Sequence, residues 1–338
     1  MKTVEETGSV RVDLLGGTID LNPICLILPD VVTLNIATEL KAKVQIEEAN
    51  LDGIEIVSLD YETTKLFSQK DITPKNLSNE FFGHFKFVMQ IINYFGITTG
   101  LRLTLESGSP AGAGLGGSSA MGVTLFKALA KWNKVEIDPI KAISIVNAIE
   151  AKILDCGPAG YQDYYPALFG GVLGLEASPG QVEVNQLYSK ELAKVLENNL
   201  TLVYSGQTRL SGINNWEVYK GFFDKNQVVR DGLKNIAVLS NQAFLAIKEG
   251  KFSTLPEFIA QEGEIRTTLF PGIVSPEMER LYNKIRTEVP SLGMKVCGAG
   301  GGGCFLLVHS EDDRSLVRER VAAHTGMSVL DLKVAQPL

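Results

Sequence analysis

The sequence predicts a mixed α+β chain of two domains, and three observations predict it. Leu101, Leu103 and Leu105 alternate with Arg102, Thr104 and Glu106, and this strand pattern runs through a glycine-rich turn into a helical one. Lys295 to Val308 reads instead as strand, glycine loop, strand. After Pro179 the composition becomes more helical and charged, so the domain boundary is expected between about residues 177 and 195, giving domains 1–185 and 186–338. A chain of 338 residues, 45% of them hydrophobic, can bury a sizeable core.

In chain order, Val10 to Leu15 is strand-like and enters the turn Gly16-Gly17-Thr18-Ile19-Asp20. An arginine in the strand, Arg11, and an acid across the turn, Asp20, suggest a pocket; a structural salt bridge is the plainer alternative. Thr33 to Ile56 is rich in β-branched residues and reads as two or more strands. Glu80 to Phe95 has apolar residues at helical spacing and predicts a helix whose aromatics join the core. Pro110 then stops the Leu101 strand. Gly112, Gly114, Gly116 and Gly117 remove the Cβ atoms that would keep an anion off the backbone. Ser118 is expected to cap the helix that follows, with Leu125, Phe126 and Leu129 on its one apolar face. A helix N-terminus carries roughly +0.5 of a charge and unpaired N–H groups, so phosphate fits there without a lysine.

Asp138-Pro139 opens a further helix with the stripe Ile140, Ile143, Val146, Ile149 and Ile153. Glu150 borders that stripe, as a rim residue or as a metal ligand drawn inward. In the loop Gly157 to Tyr165, Asp163 stands among aromatics after a glycine turn, an environment that holds a carboxylate dry and aimed; capping the turn is its bland alternative. Leu200 to Tyr204 reads as a strand leading to Ser205–Leu210, where Arg209 is either a ligand contact or a solvated turn residue. Val228 to Glu249 and Ser275 to Val289 read as amphipathic helices.

Several chemistries are excluded. No Gly-x-x-x-x-Gly-Lys-Ser/Thr is present, so the turn is not a Walker loop. Gly112, Gly114 and Gly117 do spell Gly-x-Gly-x-x-Gly, with Glu136 and Asp138 about 20 residues on, which keeps an NAD-dependent dehydrogenase open. A net charge of −7 argues against general nucleic-acid or anionic-membrane binding. His84, His309 and His324 have no second ligand at metal spacing, and the four cysteines form no C-x-x-C pair. With no apolar signal core and no run of ~20 apolar residues, a cytoplasmic location is expected.

The segment Ser109-Pro110-Ala111-Gly112-Ala113-Gly114-Leu115-Gly116-Gly117-Ser118-Ser119-Ala120 resembles the ATP loop of the GHMP small-molecule kinases, with Gly117 as one extra glycine. Arg11 to Asp20 aligns without a gap on the galactokinase signature, although Gly17-Thr18 replace its Glu-His. The same turn is similar to that of the family's D-glycero-D-manno-heptose 7-phosphate kinases. Gln162-Asp163 resembles the family's aspartate loop, Thr208-Arg209 a segment of its heptose-phosphate and fucose kinases, and Gly298 to Gly303 its third signature.

The resemblance implies an N-terminal α/β domain of the ribosomal-protein-S5-like type and a ferredoxin-like C-terminal α+β domain. It further implies that ATP lies on Pro110, Gly112, Ala113, Gly114, Leu115, Gly116, Gly117, Ser118 and Ser119, with Mg²⁺ on Ser119 and Glu150. Asp163 would be the general base, with Arg11 beside it and the transferred phosphoryl group. A sugar or sugar-phosphate acceptor would meet Gly17, Thr18, Asp20, Arg209, Gly300 and Gly301, and Arg209 and Arg266 are the candidates for holding an acceptor phosphate. The Glu80 region would help hold adenine. The expected partner is a small molecule, without nucleic acid or membrane, and the expected state is a monomer or homodimer. A catalytically silent sugar or ATP sensor on the same fold is the other alternative.

Overall fold

A computed structural model describes residues 2–154, 160–208 and 211–338, with residues 211–214 as backbone only. Strand β1 (Thr3–Leu15) pairs antiparallel with the long β2 (Val32–Glu48), and the short helix α1 (Ile24–Ile27) lies between them in sequence. Strands β3 (Gly53–Ser58) and β4 (Thr63–Ser68) form a hairpin. Helices α2 (Pro74–Ser78) and α3 (Lys86–Tyr94) lead to β5 (Leu101–Glu106), α4 (Gly117–Asn133), α5 (Pro139–Leu154) and α6 (Pro166–Phe169). A hairpin of β6 (Val172–Ser178) and β7 (Gln181–Gln186) completes a seven-stranded sheet of order β4-β3-β5-β2-β6-β7, with β1 also on β2.

Helix α7 (Lys190–Asn199) leads into a four-stranded antiparallel sheet of order β11-β8-β10-β9. Its strands are β8 (Leu200–Tyr204), β9 (Gly293–Val296), β10 (Cys304–Val308) and β11 (Ser328–Leu330). Between β8 and β9 run α8 (Ser211–Phe223), α9 (Gln227–Lys248), α10 (Leu255–Thr267) and α11 (Pro276–Arg286), and α12 (Arg314–Ala322) joins β10 to β11. None of the helices in the described residues is long and apolar enough to cross a membrane.

Strand β2 is the spine of the first sheet. Along one edge it carries β1, and along the other it carries β5 at residues 43–48 and β6 at residues 32–36. The gap between β5 and β6 is filled from far away in sequence: Thr38 bridges Val334, the Glu39 N–H donates to Lys333 O (3.1 Å), and the Ala335 N–H donates to Ala37 O (2.8 Å). The Leu338 N–H then reaches Phe169 O at 3.0 Å.

Several local expectations shift. Helix α4 starts at Gly117 with left-handed Gly116 (φ +67°) at its cap, so Ser118 sits inside the first turn and caps nothing. Residues 119–126 of α4 are buried without interruption, because β1 and β2 cover one side and α3 and α5 another; a helix enclosed in this way has no polar face to show. Glu80 to Phe82 precede the helix, which is entered through a 3₁₀ turn at Gly83–Phe85. The charged stretch after Pro179 opens with a strand, β7, whose Val182 and Val184 alternate with polar residues on a half-exposed edge. The glycine turn is followed by helices α4 and α5 in succession, and the next strand, β6, pairs antiparallel with β2 and β7 and not with β5, so the βαβ unit that a dinucleotide fingerprint requires is missing and the NAD reading falls.

Candidate active site

A cavity of about 380 Å³ lies where the glycine turn, the start of α4, β1 and the second glycine loop converge. The turn from Pro110 to Ser119 lines it throughout. Gly112, Gly114 and Gly116 have φ of +69°, +72° and +67°, which L side chains rarely adopt. At Gly114 a Cβ would stand 2.8 Å from Cys297 O, and at Gly116 it would stand 3.2 Å from the Asp163 Cβ. Gly114 therefore needs glycine for space as well as for φ, and at Gly116 a side chain would have to shift Asp163 by a few tenths of an ångström. The turn is tied down from outside: Arg11 N–H donates to Leu115 O (3.0 Å), and Cys304 N–H donates to Ala113 O (2.7 Å).

Arg11 is only 3% exposed. A register shift between Ser9 and Arg11 in the β1–β2 ladder frees the strand locally, and the arginine faces the cavity. Its Nε donates to Asp163 Oδ1 at 2.9 Å, its second terminal nitrogen lies 2.7 Å from the same oxygen, and the first donates to Gly114 O. Burial alone would lower the guanidinium pKa, but Asp163 and then Asp13 outweigh it and hold the pKa above its ordinary value. Among the described residues Asp163 Oδ2 has no hydrogen-bond partner, so one carboxylate oxygen is clamped and the other is open.

Ser119 and Glu150 meet at the start of α4. Ser119 Oγ and Tyr164 OH each donate to Glu150 Oε2 at 2.7 Å, and Asn147 Nδ2 donates to the Tyr164 oxygen at 3.1 Å. Glu150 is thus buried, not on the rim. Burial pushes its carboxyl above the ordinary range, against the hydrogen bonds from Tyr164 and Ser119 that favour the charged form. No salt bridge to Glu150 exists among the described residues, so this carboxyl stands beside the glycine turn with hydrogen-bond donors but no cation against it.

Asp20 is buried beside Gly160 and accepts the Gln162 N–H at 3.3 Å. Burial, and then the charge of Asp163, push its carboxyl well above the usual range. Gly17 and Asp20 line the cavity, whereas the buried Thr18 hydroxyl finds no partner among the described residues and lies outside its lining. Gly300 and Gly301 differ from expectation as well. A Cβ at Gly300 would stand 2.5 Å from Ile273 O, and Gly301 N–H donates to that oxygen, so the loop reaches the cavity through Gly298 and Ala299 instead. Arg209 lies outside the described residues. Arg266 does not face the cavity; it is 2% exposed, and Asp13 and backbone carbonyls occupy it.

The cavity also takes in residues of the Glu80 to Phe95 stretch and of β5, and with them Asp60, Tyr61 and Asn215, which sequence patterns did not single out. Tyr61 and His84 stack with centroids 5.0 Å apart, next to Phe85, Phe87, Val88 and Leu105. Asp60 accepts Ser107 N–H (2.8 Å) and Ser107 Oγ–H (2.9 Å), pinning the end of β5 beside that wall. Asn215 enters from α8. Tyr61 and His84 belong to separate segments, and only the folded sheet brings them together; no periodicity signals it.

Residues 83–171 match the family model described as GHMP kinases N terminal domain, and residues 243–325 match GHMP kinases C terminal, together about half of the chain. The chain is 26% identical over 337 residues to the bifunctional fucokinase/GDP-fucose pyrophosphorylase of Arabidopsis thaliana, covering 95% of itself and 31% of that protein. It is 28% identical over 213 residues to the D-glycero-alpha-D-manno-heptose 7-phosphate kinase of Campylobacter jejuni, covering 62% of itself and 61% of that protein. It therefore matches less than two thirds of the length of either relative. Among solved structures, Lactococcus lactis galactokinase complexed with galactose superposes with a TM-score of 0.76 at 13% identity, over 100% of this chain and 95% of that one. The Methanococcus jannaschii mevalonate kinase superposes with a TM-score of 0.74 at 19% identity, over 99% and 98%. At these identities the superpositions establish a common fold.

Proposed function

Because the chain belongs to the GHMP kinase family, we propose that it moves the γ-phosphoryl group of ATP to a hydroxyl of a sugar or sugar phosphate. The observation that carries this reading is the Arg11–Asp163 pair, held at 2.7–2.9 Å against the glycine turn inside one cavity. Phosphoryl transfer asks for positioning and charge neutralisation more than for covalent chemistry. The positive-φ glycines and the N-terminus of α4 suit a triphosphate. The apolar wall of Phe85, Phe87, Val88 and Leu105, with stacked Tyr61 and His84, suits a purine ring.

Asp163 would orient the acceptor hydroxyl and take its proton on the open Oδ2, while Arg11 compensates charge on the transferred group. Ser119 and Glu150 fit Mg²⁺ as protein ligands: both offer oxygen, and Glu150 is a buried carboxylate without a cation. When bound, the ion would neutralise phosphate charge. Asp20, buried and beside the base, is suited to gripping a polyol, which agrees with the fucokinase and heptose 7-phosphate kinase named among the relatives.

ADP release from Mg-ATP across free sugars, sugar phosphates, inositols and mevalonate tests the reading. A strong response to one sugar, lost in Asp163→Asn, is expected. Silence across the panel with ATP still bound would instead favour a sensor.

A further inference from the structure

Four charged side chains that the chemistry does not use are sealed together where the two sheets meet. Asp13 of β1 and Glu262 of α10 are 0% exposed, Lys295 of β9 is 1% exposed, and Arg266 of α10 is 2% exposed. Lys295 Nζ donates to Asp13 Oδ2 (2.8 Å) and Asp13 O (3.1 Å), and Arg266 donates to Asp13 Oδ2 at 3.2 Å. Glu262 Oε1 stands further off, 3.5 Å from Lys295 and 4.0 Å from Arg266. As a stabilising device this is poor. Among the described residues Asp13 Oδ1, Glu262 Oε1 and Arg266 Nε are buried without hydrogen bonds, and desolvating four charges costs about as much as their attraction returns.

Its outward bonds are more telling. Glu262 Oε2 accepts the N–H of Gly16 at 2.7 Å, at the head of the turn that carries Gly17 and Asp20. One helical turn later, Arg266 donates to the carbonyl of Gly298, which opens the second glycine loop. Gly16 and Gly298 have φ of +79° and +64° and no side chain with which to anchor themselves. Each turn also lies directly on a partner: a Cβ on Gly17 would stand 2.0 Å from Asp13 Oδ2, and one on Gly298 would stand 3.0 Å from Gly114 O. Helix α10 itself packs directly on β9, since a Cβ on its Gly263 would meet Met294 O at 1.9 Å.

We propose that this quartet is a positioning device, in which Glu262 fixes the acceptor turn and Arg266 fixes the second glycine loop against the nucleotide turn. The two half-sites thereby meet in one register on the strand that bears Arg11. The inference rests on the kinase reading for its kinetic consequences but not for its structural ones.

Charge-conserving variants test it. Glu262→Asp retracts the carboxylate by about 1.5 Å and releases Gly16, so the acceptor KM should rise about tenfold while the ATP KM stays put. Arg266→Lys loses the fork that reaches Asp13 and Gly298 together, so the ATP KM should rise about tenfold and the acceptor KM should hold. Glu262→Gln keeps the reach and the acceptor oxygen, and should leave the acceptor KM closer to wild type than Glu262→Asp does. Amide hydrogen exchange read by mass spectrometry should quicken at residues 14–20 in Glu262→Asp and at residues 297–304 in Arg266→Lys. A fall in kcat alone with both KM values unchanged, or exchange that quickens uniformly, would reduce the quartet to ordinary packing and overturn the proposal. Failure of the wild type to release ADP with any acceptor would sink the kinase reading, while the exchange pattern would still decide whether the quartet anchors the two turns.

Discussion

A carboxylate clamped by a buried guanidinium through one oxygen is aimed without being used up, which is the state a general base needs. Asp163→Asn keeps the shape and removes the proposed base, so turnover should fall by about 10²–10⁴ while nucleotide titration still saturates. Asp20 has the opposite character, a carboxyl lodged where burial and Asp163 disfavour its charge. With the folded pKa raised, the unfolded chain gives up the proton first as pH rises. The folded state then loses about 1.4 kcal/mol per pH unit from the ordinary carboxylate range up to the raised value, and nothing further beyond it. Asp20→Asn should accordingly melt close to wild type at pH 4 and increasingly above it towards neutral pH, with acceptor binding lost; a stability gain that is flat with pH would contradict this. At this scale short sequence signatures single out Arg11, Asp20, Ser119 and Asp163, and the fold places all four around one cavity. The sequence was silent on Tyr164 and Asn147, whose hydrogen bonds to and around Glu150 depend on how α5 faces the following loop.

The glycine turn is the element whose backbone decides the most. In Gly116→Ala a left-handed alanine costs about 1–2 kcal/mol, and its Cβ, 3.2 Å from the Asp163 Cβ, pushes on Asp163. Gly180→Ala is the matched control. Its φ is +84° with nothing within 4 Å of the added carbon, so it carries the backbone cost alone. Chemical denaturation should give similar losses for the two, and ADP release should fall at least tenfold only for Gly116→Ala; equal activities would mean that the turn tolerates a side chain. Elements with a clear period were legible: β5, α9 and α11 lie within a few residues of their expected positions. Strand β7 was not, because its polar edge positions resemble those of an exposed helix, and the one-sided stripe expected of α4 failed because tertiary neighbours enclose the helix. The second glycine loop was recognised as a motif, but which of its glycines reach the cavity depends on the contact with Ile273, far from it in sequence.

For the whole molecule, the first sheet and the later part of the chain share one apolar core, and two polar ties reinforce it at long range: the charge quartet, and the segment 333–338 that fills the gap along β2. Removing residues 333–338 takes away three backbone hydrogen bonds and the one from Val334 N–H to Glu197 Oε1. With net contributions of about 1 kcal/mol each, the loss should be about 4 kcal/mol in urea denaturation; a loss below about 1 kcal/mol would make the segment ornamental. Neither tie could be read from local pattern, since each pairs residues whose partners lie most of the chain away. That separation also has a consequence in time. During synthesis, at roughly 5–20 residues per second, the middle of β2 waits tens of seconds for Val334, and an unpaired edge of that kind invites pairing with another chain. The half of the molecule that is made first is therefore the half that is finished last.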